Sequence, residues 1–301
     1  MAVDQEKLVK KAKSMREEYR INMERPVRPY VEIGNYREIS VSLIPNAENT
    51  PLLIWVPKEP CATPMPVYIS LHSGAWTRGS AHFDDYICRL TCSRVGCMVI
   101  GVEFKLAPEY KFPIQPEECY AAVKWVYDHA EDLGIDRNRI SIGGHNTGGN
   151  LAAVVSHLAR DRKEFKLRDV VLDCPVINFT IDSLDLPDFE DDDPMRGPIR
   201  GAFFNTCYLG DVSLATHPMV SPALEPNLEG LPPTLVLAAG LDPQCPLTLE
   251  YAERLKAAGT DVTYHCFEGQ KHGFNVQPGI APQEEADKVF EYIDSFLKTN
   301  M

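Results

Sequence analysis

The chain is expected to fold as an α/β protein, a mostly parallel central sheet covered on both faces by helices. Three observations predict this. From residue 67 onward, short apolar runs alternate with segments of helical periodicity. Runs such as Val67-Tyr68-Ile69-Ser70-Leu71 and Cys97-Met98-Val99-Ile100-Gly101-Val102 are nearly continuous in apolar residues, the mark of strands buried on both sides. And 301 residues, 44% of them hydrophobic and 24% charged, suffice for one large core with insertions.

The elements follow in order. Leu8, Ala12, Met15 and Tyr19 share one face of an N-terminal amphipathic helix, expected to pack on the body of the protein. Tyr36 to Leu43 and Pro51 to Trp55 read as strands, and Asn46-Ala47-Glu48-Asn49 between them suggests an antiparallel hairpin. Beyond the strand at 67–71, residues 82–94 are helical, 97–102 a strand, 116–131 a helix, 139–143 a short strand and 149–162 a helix. Val170-Val171-Leu172 is the next strand. Residues 176–230 break the rhythm with prolines, the acidic run Asp188, Glu190, Asp191, Asp192 and Asp193, and the aromatics Phe203, Phe204 and Tyr208, as an insertion over the sheet would. The acidic run lacks the spaced ligands and glycine of a calcium loop and reads as solvated. The alternation resumes with Thr234 to Ala238, a helix at 246–258, the strand Val262 to Phe267, and a last helix burying Ala286, Val289, Phe290, Ile293, Phe296 and Leu297.

Composition excludes several classes. A net charge of −13 disfavours nucleic acid and anionic membranes as partners. No apolar run approaches membrane-spanning length, and residues 1–7 hold no apolar signal core. The nine cysteines show no zinc spacing; Cys88 and Cys92 have no following His or Cys partners at the required distance. They read as reduced, buried thiols, Cys97, Cys119, Cys174 and Cys266 among them, in a cytoplasmic protein. Neither metal nor organic cofactor is expected.

Chemistry concentrates at the ends of the expected strands. Gly144-His145-Asn146-Thr147-Gly148-Gly149-Asn150 joins a strand to a helix. Gly144 and Gly148 suit a turn where strand and helix come too close for side chains. Asn146 at its apex suits a residue held at positive φ. Leu71-His72-Ser73-Gly74-Ala75-Trp76 directly follows a strand, and small residues there let backbone N–H groups face a developing oxyanion. Asp242 closes one strand, and His272 follows the last. A carboxylate orienting an imidazole is the general-base half of a catalytic triad.

The order of these pieces resembles the hormone-sensitive-lipase-like carboxylesterases of the α/β-hydrolase fold, whose Gly-x-Ser-x-Gly elbow precedes Asp and then His. Leu106-Ala107-Pro108-Glu109 with Phe112-Pro113, and Asp136 with Arg139-Ile140, match further signatures, so the likeness runs from about Pro51 to Phe274. It implies cap helices and lead-in over 1–45, the hydrolase core over 46–175 and 231–301, and a cap insertion over 176–230. It implies oxyanion N–H groups from Gly74, Ala75 and Thr147, substrate contacts from Ser73 and Trp76, Asp242 as orienting acid and His272 as base. The partner implied is a small acyl substrate, and a homodimer is plausible by analogy.

The departures matter more. Asn146 stands where the nucleophilic Ser is usual, Ser73 where Gly is usual, Thr147 for Ala, and Pro246 for an acidic residue. A carboxamide offers no proton whose removal gives a useful nucleophile. Three readings stay open: an esterase rendered nearly inactive, a non-hydrolytic lyase or dehydratase using His272 and the oxyanion groups, and a small-ligand receptor.

Overall fold

The computed structural model of the protein describes residues 5–24, 29–180, 198–276 and 281–301. The acidic run at 188–193 therefore lies outside the described residues. Eight strands form one sheet in the order β1-β2-β4-β3-β5-β6-β7-β8. They are β1 Asn35–Val41, β2 Thr50–Val56, β3 Met65–Leu71, β4 Met98–Val102, β5 Ile135–His145, β6 Val170–Asp173, β7 Thr234–Ala239 and β8 Val262–Phe267. The β1–β2 hairpin is antiparallel, as expected, and β2 also runs antiparallel to β4; every other pairing is parallel.

Strand pleating splits the core in two. Val170, Leu172 and Val236 face one layer, which also holds side chains of α3 (Ile114–Asp128), α5 (Thr147–Arg162) and α7 (Cys245–Ala257). Their neighbours Val171, Leu235 and Leu237 face the other, against α2 (Asp85–Val95) and α8 (Gln283–Asn300). Residues one apart thus serve opposite faces, which explains why these strands carry hardly any polar positions. Helix α5 is buried on every side from Thr147 to Ala159, as a helix in the middle of the layer must be.

Two elements differ from the pattern reading. Strand β5 begins at Ile135 rather than near Arg139, because Met65 pairs with Ile135 ahead of a register shift that a short apolar count cannot detect. The helix expected over 116–131 breaks at His129, whose ring stacks on Trp125 (4.2 Å between centroids) while its Nδ1 lies 2.8 Å from the Trp125 carbonyl. The short α4, Ala130–Leu133, then ends at Gly134, which adopts φ 71°.

Helix α1 (Gln5–Glu24) packs Ala12 and Tyr19 inward, as its periodicity predicted. It is stitched down by Arg16, which donates Nε to the Thr77 carbonyl (2.6 Å), Nη2 to the Ala107 carbonyl (2.7 Å), and both Nη groups to Glu109. Helix α6 (Pro198–Leu209) buries Phe203, Phe204 and Tyr208. The Arg78 guanidinium lies 4.8 Å from the Tyr19 ring of α1 and 4.9 Å from the Phe204 ring of α6, so both helices bear on the loop after β3.

Among the described residues no helix is long and apolar enough to cross a membrane. All nine cysteines are free, but three are not buried: Cys61 is exposed, and Cys245 and Cys266 are only half-buried. For Cys266 this corrects the expectation, since β8 is the edge strand of the sheet.

Candidate active site

Parallel register brings the chemistry together at one edge. Leu71 pairs with Gly144, and His145 with Asp173, so the loops after β3, β5 and β6 leave side by side. Those after β7 and β8 carry Asp242 and His272. Carboxyl ends of parallel strands are where open α/β sheets place their ligand sites.

The elbow owes its shape to two glycines. A Cβ on Gly148 would come within 1.8 Å of the Leu71 carbonyl oxygen, and one on Gly144 within 2.3 Å. Neither distance is sterically possible, so β3, β5 and α5 can meet here only with hydrogen at both positions. Asn146 at the apex has φ 54° and ψ −109°, the positive φ expected of it. Its N–H donates to the Asp173 carbonyl (2.9 Å).

The Asn146 carboxamide is engaged at both ends. Its Oδ1 accepts from the Thr147 N–H (2.6 Å) and from Thr147 Oγ1 (2.8 Å). Because a backbone N–H must face oxygen, the other end of the amide is Nδ2, which lies against Nε2 of His272. An amide N–H can only donate, so Nε2 is the acceptor and His272 is neutral there. Its Nδ1–H donates in turn to Asp242 Oδ2 at 2.5 Å. Asp242 is fixed by the N–H of Gln244, donated to Oδ1 at 2.9 Å. The Asp242 side chain is 5% exposed and that of His272 19%, so the imidazole keeps an open edge.

The loop after β3 adopts three successive positive φ values: 129° at Gly74, 53° at Ala75 and 58° at Trp76. No backbone carbonyl among the described residues accepts from the Gly74 or Ala75 N–H, whereas the Gly74 carbonyl is held by the N–H groups of Thr77 and Arg78. His72 anchors the loop, stacked 3.9 Å from Phe104 with Nδ1 2.7 Å from the Ser73 carbonyl. Burial pushes the His72 pKa down and keeps it neutral. Ser73 Oγ lies 3.3 Å from the Tyr19 hydroxyl of α1. Trp76 is buried in an aromatic stack with Tyr208 (4.5 Å) and Phe179 (4.8 Å). Seven of the eight residues singled out in the sequence sit on loops at this edge, and the eighth, Thr147, opens α5 there. Asn146, Thr147, His272 and Asp242 form one continuous hydrogen-bonded chain.

One group escaped sequence reasoning. Asp173 Oδ2 accepts from His145 Nδ1 (3.0 Å) and from Asn275 Nδ2 (2.6 Å), tying the elbow to the loop that carries His272. The His145 and His272 rings are 5.6 Å apart. Asp173 ends β6 beside the elbow, and its position at a parallel strand's carboxyl end was the signal available. With His145 and Cys174, Asp173 forms the one group of metal-type donors found among the described residues, their ligand atoms within 4.8 Å of one another. Burial, with Asp173 alongside, drives the Cys174 pKa well up, so that thiol is protonated.

Comparison with known proteins bears on the family. A family model described as alpha/beta hydrolase fold matches residues 68–276. An arylesterase of Saccharolobus solfataricus is 32% identical over 264 residues, covering 85% of this chain and 82% of the relative. The carboxylic ester hydrolase LipN of Mycobacterium tuberculosis is 35% identical over 71% of this chain, but the match spans only 57% of LipN. Among solved structures, an arylesterase superposes with a TM-score of 0.85 at 28% identity, covering 99% of both chains. The metagenomic thermostable carboxylesterase EstE1 gives 0.83 at 28% identity, over 99% of this chain and 98% of its own. The chain belongs to the α/β-hydrolase family, among its carboxylesterase-type members.

Proposed function

We propose that this protein is an esterase-lineage hydrolase for small or medium acyl substrates, nearly inactive as it stands because Asn146 occupies the nucleophile position. The observation that carries this is the contact of Asn146 Nδ2 with His272 Nε2, where a serine hydroxyl would surrender its proton. Asp242 would orient the base, and Gly74 and Ala75 would offer N–H groups to the oxyanion. The third such donor, the Thr147 N–H, is consumed by Asn146 itself. The amide thus removes the nucleophile, caps the base and occupies part of the oxyanion site.

A non-hydrolytic role for His272, abstracting a proton from a substrate, is the second reading. The intact Asp242–His272 pair favours it. Against it, the imidazole lone pair such a base needs is already engaged by Asn146.

The test compares hydrolysis of p-nitrophenyl acetate and butyrate by the protein and by Asn146→Ser. The parent should stay near background. The Ser variant should gain at least about 10³-fold with an acyl-enzyme burst, since losing a triad nucleophile costs several orders of magnitude. Equal inertness of two folded proteins would defeat the esterase reading and turn attention to lyase substrates.

A further inference from the structure

We propose that Cys245 and Cys266 form a redox-active thiol pair that closes to a disulfide, cross-linking the two segments that present Asp242 and His272. Their Sγ atoms are 3.8 Å apart, with the Tyr264 hydroxyl 3.9 Å from Cys245 Sγ. Both residues are half-buried, so a small oxidant can reach sulfurs that need approach by less than about 2 Å to bond. Neither is a neighbour of the other in sequence: Cys245 opens α7, and Cys266 lies on the edge strand β8.

The two thiols have different surroundings. Cys245 is the first residue of the 13-residue helix α7. Burial, together with Cys245 and Glu268, pushes the Cys266 pKa up to about 12, so that sulfur stays protonated. This assigns Cys245 as the thiol oxidised first and Cys266 as the resolving one.

With hydrogen peroxide as oxidant the steps balance. Cys245 releases its thiol proton to solvent and its sulfur attacks one peroxide oxygen; the S–O bond forms, the O–O bond breaks, and the departing hydroxide takes a proton back from solvent to become water. Cys266 then attacks the sulfenic sulfur and gives up its proton as it does so. The S–S bond forms, the S–O bond breaks, and the leaving hydroxide takes the Cys266 proton as a second water. Two thiols are oxidised to one disulfide and one peroxide is reduced to two waters.

The location gives the bond its consequence. The Cys245 N–H donates to the Asp242 carbonyl (2.8 Å), so Cys245 belongs to the same turn as the carboxylate. The Phe267 carbonyl, next to Cys266, accepts from Gly240 and Gln270, which flank the two site loops. A bridge would bind turn to strand and stiffen the segments holding Asp242 and His272.

The experiment treats the full chain with peroxide, alkylates remaining thiols, and maps non-reduced peptides by mass spectrometry. The expected product is a Cys245–Cys266 cross-linked peptide, two hydrogens lighter than its parts, with a thermal midpoint that rises and falls back on adding a dithiol. Cys266→Ser should leave a sulfenic acid at Cys245 trapped by dimedone, and Cys245→Ser should leave Cys266 unmodified. Oxidation confined to the exposed Cys61, or separate over-oxidation of Cys245 without a cross-link, would overturn the proposal. A dimedone adduct on Cys266 in Cys245→Ser would overturn the assignment of the first thiol.

Discussion

Asn146 reaches His272 with its amide nitrogen because Thr147 holds its amide oxygen: two donors from one neighbour fix which end of the carboxamide faces the imidazole. The consequence is a defined tautomer, with the proton on Nδ1 facing Asp242 and none on Nε2.

Histidine-selective ¹⁵N NMR at neutral pH should accordingly show His272 Nδ1 protonated and Nε2 as a bare acceptor. Asn146→Ala should move the Nε2 resonance, since of the two ring nitrogens it is the one that loses its partner. A spectrum with the proton on Nε2 would refute the assigned amide orientation.

How much of this could be read in advance depended on whether the cause was local. The elbow was legible because its glycines answer a local demand, the passage of Gly144 and Gly148 over the Leu71 carbonyl. Strands such as β6 and β7 were legible because both of their faces are buried within a few residues. Asp173 was not, because its role arises from the β5–β6 register that sets it opposite His145, a pairing across 28 residues. Nor could the sequence show Asn146 folding back on the Thr147 N–H, a donor the resemblance assigned to substrate. Tyr19 was readable as a core residue of α1, yet its meeting with Ser73 depends on how that helix docks.

Asp173 is expected to be structural as well as central to the site. Asp173→Ala leaves the buried His145 Nδ1–H and Asn275 Nδ2–H without their acceptor. At about 1–3 kcal/mol for each stranded donor, the loss should be on the order of 3 kcal/mol. Asp173→Asn, which keeps one acceptor oxygen, should lose less. Urea unfolding measures both, and equal midpoints for Ala and wild type would show that water replaces the carboxylate.

A second buried charge holds the sheet to α3. Glu118 is fully buried; its Oε1 accepts from Thr50 Oγ1 and from Lys105 Nζ (2.7 Å), and its Oε2 from the Lys105 N–H (2.7 Å). Glu118→Leu strands an ammonium whose side chain is only 8% exposed, which should cost about 3–5 kcal/mol. Adding Lys105→Met should recover much of that, because the desolvation penalty of the charge goes with it. A double variant no more stable than Glu118→Leu would mean that the backbone N–H and Thr50 contacts carry the cost.

Two further buried groups should tilt the pH dependence of stability in opposite directions. Burial raises Asp169 from 3.8 to about 7, even though Ser141 Oγ donates to it at 2.8 Å. Between these values the folded protein holds a proton that the unfolded chain releases. Its contribution is therefore greatest below about pH 4 and is lost as pH rises to 7. His157 behaves the other way. Burial, aided by Arg160, lowers it from 6.5 to about 3, and its Nε2 pairs with the Tyr251 hydroxyl (2.8 Å). The unfolded chain takes up that proton first, so its contribution is present above pH 6.5 and lost on acidification toward 3. From about pH 4 to 6.5 the slopes oppose and flatten the wild-type profile. Asp169→Asn should then lose stability on acidification across that window. His157→Gln, which can still bond Tyr251, should gain it. Urea midpoints at half-unit intervals read the two slopes directly, and variants that titrate parallel to wild type would show that neither group changes protonation on unfolding.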